Sequence, residues 1–170
     1  MMPDSYKIED NIYAKDTGVY GQSLFAKKDF KKDELVFVAF GSITKVPSFY
    51  TIPIAKDLNI EPREPAGNLS QYICHSCEPN LGIKNRSMFV AMCDIKKDEE
   101  VTIDYAMIVP EFPEPGQRGW EHWDFNGWDG WKCKCGREKC RGKVMGYLQL
   151  PDEEKKKYEG YVSEFILEME

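Results

Sequence analysis

The sequence predicts a mainly β fold with a minor helical part. Three short runs, residues 35–40, 87–92 and 100–105, indicate strands because they are apolar or alternate polar with apolar residues. Turn-forming residues bound these runs, and helical stretches are few. A fourth strand is predicted at residues 49–52, and we identify no internal repeat.

Composition predicts one folded domain with a small appended module. The 170 residues are 42% hydrophobic and 13% aromatic, which is enough to form a core. The net charge is −6 and no basic stripe is present, so we expect no direct nucleic-acid binding. An acidic chain suits a basic protein partner, although the charge can also serve solubility alone.

The location of the protein is predicted from what the sequence lacks. No apolar run approaches the ~18 residues of a membrane span, and the charged start, MMPDSYKIEDN, has no secretory core. We therefore expect no membrane association and no secretion, and a cytoplasmic or nuclear protein. In such reducing compartments clustered cysteines favour a metal over disulfides.

The last residues are predicted to form a helix over 151–170. Pro151 suits its first turn, and the acidic residues 152–154 suit the positive end of the helix dipole. Apolar residues recur at helical spacing and form one stripe, which favours docking on the core over binding a partner. The stripe consists of Tyr158, Tyr161, Val162, Phe165, Ile166 and Met169.

An irregular segment precedes the last cysteines. Residues 106–132 contain three prolines, four glycines and all four tryptophans, a density that breaks regular structure. Long irregular segments in compact domains are commonly functional or mobile. The tryptophans must bury their area, so the segment is interpreted either as a loop packed on the surface or as an aromatic lid over a binding site.

Three thiols lie close together in the sequence at Cys133, Cys135 and Cys140. Structural zinc sites use four tetrahedral ligands, so a fourth ligand must come from elsewhere. The remaining candidates are Cys74, Cys77, Cys93, His75 and His122. The spacing favours zinc over a set of reduced thiols in a loop, and Gly136 allows the tight turn that such a knuckle needs.

The run ICHSCEPN at residues 73–80 contains a second group of reactive side chains. A cysteine beside a histidine can serve nucleophilic catalysis. Neighbouring residues of a strand point to opposite faces, however, so Cys74 and His75 are not expected to act as a pair. A thiol hydrolase is therefore disfavoured.

Four motifs, in order along the chain, resemble those of the SET-domain protein lysine methyltransferases. GQSLFA at 21–26 resembles the opening GxGLFA turn, and HSCEPN at 75–80 resembles the NHSCxPN signature. DIKKDEEVTIDY at 94–105 resembles the closing DIxxGEELTFDY element, and CKCGREKCRG at 133–142 resembles the post-SET zinc module. The resemblance covers residues 15–147, and the ordered set is specific.

The resemblance implies a SET-domain fold of small curved β-sheets with a threaded C-terminal segment. Together with the irregular composition of the connecting segment and the helical pattern at the end, it divides the chain into four parts. These are a SET-like catalytic domain at 1–110, a connecting segment at 111–132, a post-SET zinc knuckle at 133–150 and a C-terminal helix at 151–170. The resemblance also implies that one zinc ion is bound by four cysteines. These are Cys77, Cys133, Cys135 and Cys140.

The implied activity is methyl transfer from S-adenosylmethionine to a lysine amine in a basic protein. Tyr105 is the implied catalytic residue, and Gln71 stands in the place of a family arginine that often contacts the cofactor. The implied cofactor-binding residues are Gly21, Gln22, Ser23, Leu24, Tyr50, Gln71, Cys74, His75 and Tyr105.

Four positions depart from the family pattern. Cys74 replaces an asparagine, Ser23 and Asp98 replace glycines, and Phe40 replaces a tyrosine. Cysteine is a weaker hydrogen-bonding group than an amide, so the first change bears most directly on cofactor binding. Two alternatives therefore stay open: a catalytically impaired SET-like module that binds basic peptides, and a zinc-dependent interaction protein without a pocket.

Overall fold

The computed structural model describes residues 8–63, 69–114 and 131–169, and it confirms a mainly β fold. The strands are Ile12–Asp16 (β1), Gln22–Ala26 (β2), Leu35–Val38 (β3), Ser42–Thr44 (β4), Ile52–Ala55 (β5), Leu58–Glu61 (β6), Cys74–His75 (β7), Leu81–Lys84 (β8), Met88–Ala91 (β9) and Glu100–Ile103 (β10). The α-helices are Ile8–Asn11 (α1), Asp152–Lys157 (α2) and Glu164–Leu167 (α3). No helix of the described residues is long and apolar enough to cross a membrane.

Strand β10 occupies the centre of the larger sheet, whose order is β1-β2-β10-β8-β9-β3, with β7 also beside β10. It runs antiparallel to β2 but parallel to β7 and β8. Parallel neighbours cannot be joined by a tight hairpin, and β10 lies between β2 and β8, which both precede it in the chain. The smaller sheet has the order β4-β6-β5.

The hydrophobic core lies under this central strand. Val101 and Ile103 of β10 are fully buried, as are Leu24 of β2 and Leu81 and Ile83 of β8. Burying such side chains is the main favourable contribution to folding. The core therefore holds the end of β10, and the residues that follow it, in a defined position.

Three of the four predicted strands are present in shortened form as β3, β9 and β10. The strand predicted at residues 49–52 is wrong, because the chain turns there and β5 begins only at Ile52. The backbone N–H of Ser48 donates to Oγ1 of Thr51 at 2.8 Å, and the Thr51 N–H donates back to the Ser48 carbonyl at 3.3 Å. These local hydrogen bonds compete with strand pairing.

The structure shows a short internal repeat that our sequence analysis missed. DFKKDELV at 29–36 and DIKKDEEV at 94–101 form two turns packed against each other, here called the paired turns. Asp29 accepts from the N–H of Lys97 at 2.9 Å, and Asp94 accepts from the N–H of Lys32 at 3.1 Å. Each turn thus binds the other through equivalent exposed groups.

The predicted C-terminal helix is divided in two. Gly160, with φ 80°, lies in the turn between α2 and α3, a conformation that glycine adopts readily. Acidic residues occupy the first turn of α2 as predicted, but α2 has no buried residue. The predicted apolar stripe is buried at Tyr158, Val162 and Ile166 and exposed at Met169.

Candidate active site

One residue separates Tyr105 from the end of β10, and Tyr105 lies in the 3-10 turn Tyr105–Met107 that Asp104 caps. Its hydroxyl donates to the carbonyl of Ile73 at 2.9 Å, and its backbone N–H donates to Nδ1 of His75 at 3.3 Å. Burial raises the pKa of Tyr105 well above its usual value, so the phenol stays protonated. Because the Tyr105 hydroxyl donates its proton to the Ile73 carbonyl, it can only accept a hydrogen bond from another group.

A largely apolar cavity of about 120 Å³ includes Tyr105 in its wall. Trp131 forms part of its wall, packed on Phe112 with ring centroids 4.1 Å apart and on Phe49 at 5.8 Å. Its indole N–H donates to the Pro113 carbonyl at 2.8 Å. Trp131 therefore walls a cavity, whereas Trp120, Trp123 and Trp128 of the predicted lid lie outside the described residues.

Two more open cavities, of about 580 and 230 Å³, also include Tyr105 in their walls. Tyr20 and Cys74 line both of them. Six of the sequence-predicted site residues meet around these cavities: Gln22, Tyr50, Gln71, Cys74, His75 and Tyr105. Two cations, Lys134 and Arg137, line the smaller open cavity.

Four thiols form a compact cluster beside the smaller open cavity. The sulfur atoms of Cys77, Cys133, Cys135 and Cys140 all lie within 4.8 Å of one another, which groups Cys77 with the other three as predicted. The Cys77 and Cys133 sulfurs are 3.7 Å apart. A tetrahedral zinc with Zn–S bonds of about 2.3 Å requires about 3.8 Å between sulfurs, so these thiols could hold a zinc ion.

The pKa of Cys135 supports a thiolate in this cluster. Burial acts against ionisation of Cys135, but hydrogen bonds from the Cys77 and Arg137 backbone and from the Cys133 and Cys140 thiols prevail and lower its pKa. Burial raises the pKa of Cys77 and Cys133, so Cys135 is the thiol of these three that ionises most readily. A thiolate is the form that binds zinc. Cys74 and Cys93 are not part of the cluster, and His122 lies outside the described residues.

A family model of the SET domain matches residues 21–106, about half of the chain. The chain belongs to the SET-domain family. SET-domain proteins are generally lysine methyltransferases that use S-adenosylmethionine and act on proteins. The matched region contains Tyr105, Cys74 and the opening turn, whereas the three clustered cysteines at 133–140 follow it.

The opening turn of this SET domain contributes less to the cavity walls than the sequence predicted. Gly21 has φ 89°, but Ser23 and Leu24 are completely buried, and none of the three lines a described cavity. The Ser23 hydroxyl donates to Oε1 of Glu100 at 2.6 Å. Their part in cofactor binding stays a prediction.

Tyr20, which the sequence analysis missed, projects into the open cavities instead. Its hydroxyl donates to Oε1 of Glu100 at 2.6 Å, and burial together with this hydrogen bond raises its pKa to about 12. Its place directly before Gly21, in the opening motif of a SET domain, was the available signal. Glu100, at the start of β10, thus accepts hydrogen bonds from Ser23 of the opening turn and from Tyr20 just before it.

The departures from the SET pattern have distinct structural outcomes. Asp98 has φ 66°, a left-handed conformation that aspartate tolerates in place of glycine. Phe40 packs against the core. The Cys74 sulfur lies 3.6 Å from the carbonyl oxygens of Gln22 and Tyr72, where the thiol acts as a weak donor within the cavity wall.

His75 connects Tyr105 to the thiol cluster. Its Nε2 lies 3.5 Å from the Cys77 sulfur, while Nδ1 accepts from Tyr105, which leaves the ring proton on Nε2. Burial lowers the pKa of His75 to about 4 despite the nearby Asp104 carboxylate, so the ring is neutral at pH 7.

Asp104 forms a buried ionic group under the site that the sequence analysis did not anticipate. Its carboxylate is fully buried and lies 2.6 Å from Nη2 of Arg141. It accepts from the Tyr158 hydroxyl at 2.6 Å and from the Ala106 N–H at 3.1 Å. The backbone N–H of Arg141 also donates to the Cys77 sulfur at 3.5 Å. Asp104, Arg141 and Tyr158 thus form one hydrogen-bonded and ionic network below the site.

Proposed function

We propose that this chain transfers a methyl group from S-adenosylmethionine to the side-chain amine of a lysine in a protein substrate. The observation that supports the proposal most strongly is that one apolar and two open cavities share Tyr105 in their walls. Methyl transfer requires donor and acceptor to approach one point in line. Separate cavities that converge on one residue suit that requirement.

The open cavities suit the cofactor. Their walls combine the aromatic ring of Tyr20, the polar side chain of Gln22 and backbone near Cys74 and His75. Lys134 and Arg137 in the wall of the smaller cavity are positively charged and can pair with a carboxylate. These residues would hold S-adenosylmethionine, which when bound supplies a methyl group on a positively charged sulfur.

The apolar cavity suits a lysine side chain. Its wall is mostly apolar and aromatic, and it encloses about 120 Å³, a volume and character that suit the alkyl part of a lysine side chain. A free lysine has a pKa near 10.4, so deprotonation at pH 7 costs about 4–5 kcal/mol. An apolar wall favours the neutral amine.

Tyr105 is suited to orient the amine rather than to remove its proton. A base would need an ionised phenol, and the raised pKa excludes that form at neutral pH. The hydroxyl oxygen can instead accept from the incoming amine, because its proton is already donated to Ile73. The net charge of −6 supports a basic protein as the substrate.

A second candidate function is a SET-like module that binds basic peptides without methylating them. The observation that favours it is the weak hydrogen-bonding capacity of Cys74 at a position that lines both open cavities. Direct titration with S-adenosylmethionine distinguishes the two functions, because the impaired module would bind peptide but bind the cofactor weakly.

The decisive experiment is incubation of the chain with labelled S-adenosylmethionine and a panel of basic proteins, followed by mass mapping of the label. Methylated lysines, together with saturable cofactor binding, are the expected result. Saturable peptide binding without labelled product would favour the impaired module. Label on a residue type other than lysine would overturn the assigned reaction.

A further inference from the structure

The C-terminal segment carries one tyrosine into the protein interior. Tyr158 follows α2, is buried, and donates its hydroxyl to Oδ2 of Asp104 at 2.6 Å. The same hydroxyl accepts from Nη1 of Arg141 at 3.4 Å. Two charged side chains, Asp104 and Arg141, therefore fix the position of the Tyr158 hydroxyl. This hydroxyl is also one of the hydrogen-bond donors to Oδ2 of Asp104.

The other oxygen of Asp104 shapes the turn that carries Tyr105. Oδ1 accepts from the Ala106 N–H at 3.1 Å and thereby caps the 3-10 turn Tyr105–Met107. The preceding N–H, that of Tyr105, is bound by His75. Two successive amides are thus held by side chains, and the direction of the Tyr105 ring depends on both of them.

The carboxylate of Asp104 is held from both sides. Nη2 of Arg141 lies 2.6 Å from Oδ2 of Asp104, the oxygen that also accepts from the Tyr158 hydroxyl. If the Tyr158 hydroxyl were removed, Arg141 would be the remaining described side-chain partner of Oδ2. Arg141 also faces Glu154 at 3.6 Å, so its guanidinium is shared between two carboxylates. A buried carboxylate that loses one donor turns toward those that remain, which would tilt the cap on Ala106.

The segment that delivers Tyr158 is tied to the SET core by backbone hydrogen bonds. Ser163 donates to the carbonyl of Met107, the last residue of the 3-10 turn, at 2.9 Å. Ile83 of β8 donates to the carbonyl of Tyr161 at 3.0 Å. Residues 158–163 therefore contact the Tyr105 turn through both a side chain and the backbone.

We propose that Tyr158 is a positioning residue for methyl transfer, which acts on Tyr105 through the Asp104 carboxylate. The proposal rests on the proposed function, because the reaction that it assists is the lysine methylation assigned above. It gives the C-terminal segment, which lies outside the region matched by the family model, a role at the active site.

The test compares Tyr158→Phe with Tyr161→Phe in the full chain. The variants are matched, because Tyr161 lies in the same segment and also donates its hydroxyl to an aspartate, the exposed Asp33, at 2.8 Å. Steady-state methylation is measured below the unfolding temperature of each variant, with the active fraction determined by cofactor titration. Hydrogen exchange of the amides at residues 105–109 is measured by mass spectrometry.

We expect Tyr158→Phe to lower kcat about tenfold with little change in KM for cofactor or peptide, since a displaced reacting group slows the chemical step. Exchange at residues 105–109 should be faster in this variant. Tyr161→Phe should match the unaltered protein in both measurements. A purely structural role would reduce the active fraction and leave kcat per active molecule unchanged.

Unchanged kcat in Tyr158→Phe, or equal losses in the two variants, would overturn the positioning role. Absence of methyl transfer by the unaltered chain would refute the proposed function instead. Equal exchange at residues 105–109 in all three proteins would then overturn the positioning role separately, because that measurement requires no substrate.

Discussion

The two ends of strand β10 hold charged groups in opposite environments. Before the strand, the paired turns carry exposed ion pairs such as Lys31 with Asp94, at 2.6 Å. After it, Asp104 is fully buried against Arg141, also at 2.6 Å. Exposed ion pairs contribute little to stability. Removing one partner of a buried pair leaves the other charge buried without compensation, which is strongly destabilising. Two ion pairs with the same N–O distance are therefore expected to differ widely in their effect on stability.

The difference extends to cysteines and tyrosines. Cys93 is exposed beside the paired turns, whereas Cys77 is buried in the thiol cluster. Tyr13 donates its hydroxyl to exposed Asp98 at 3.0 Å, whereas Tyr105 lies at the junction of the cavities. Each residue type at the buried end thus has a matched control at the exposed end.

The largest difference between the buried and the exposed end of β10 is expected when a cysteine of each end is replaced. Cys135→Ser should lower the zinc content well below one ion per chain and loosen the segment after Lys132 before the β core unfolds. Structural zinc contributes on the order of 10–16 kcal/mol of binding, comparable to the whole stability of a domain. Cys93→Ser should retain the metal.

Metal analysis and limited proteolysis measure these effects. A fully folded protein that contains no zinc after purification without chelators would refute the metal site. Equal zinc loss in Cys93→Ser and Cys135→Ser would refute the assignment of ligands to the buried end.

The aspartates are expected to differ next. Asp104→Asn should lower the free energy of unfolding by about 3–5 kcal/mol, because Arg141 loses its fully buried carboxylate partner and keeps the more distant Glu154, at 3.6 Å. Asp94→Asn should leave stability within the error of a denaturant titration, because its ion pair is exposed. Comparable losses in the two variants would mean that burial does not decide the strength of these pairs.

The tyrosine comparison tests the chemistry. Tyr105→Phe should lower turnover ten- to a thousandfold with cofactor affinity almost unchanged, a loss of about 1.4–4 kcal/mol of transition-state stabilisation. Tyr13→Phe should retain full activity, and Tyr50→Phe should show a milder loss. Methylation by Tyr105→Phe at the unmutated rate would make Tyr105 a structural residue.

The smallest change is expected for Cys74→Asn, which restores the amide of the family pattern. The fold should be retained, since Cys74 is half-buried in a cavity wall, and cofactor binding should be equal or tighter. Calorimetric titration with S-adenosylmethionine and thermal unfolding measure the two properties. A large loss of stability with unaltered binding would identify Cys74 as a core residue only.

Local patterns in the sequence determined much of the fold and part of the site. The three strands and the CxCxxxxC cluster depend on residues close together in the chain, so their spacing alone indicates them. The paired turns repeat one local pattern, DFKKDELV and DIKKDEEV, so the sequence alone is sufficient to predict that they resemble each other. The four motifs in order along the chain indicated the family that the match to the SET-domain family model then established.

Tertiary structure decided the contacts between distant residues. Cys77 meets Cys133 across 56 positions, and Tyr158 meets Asp104 across 54. Periodicity shows which face of an element is apolar, but it does not show which distant group will satisfy a buried carboxylate. That partner is chosen when the core packs, because a buried charge must find donors within hydrogen-bonding distance.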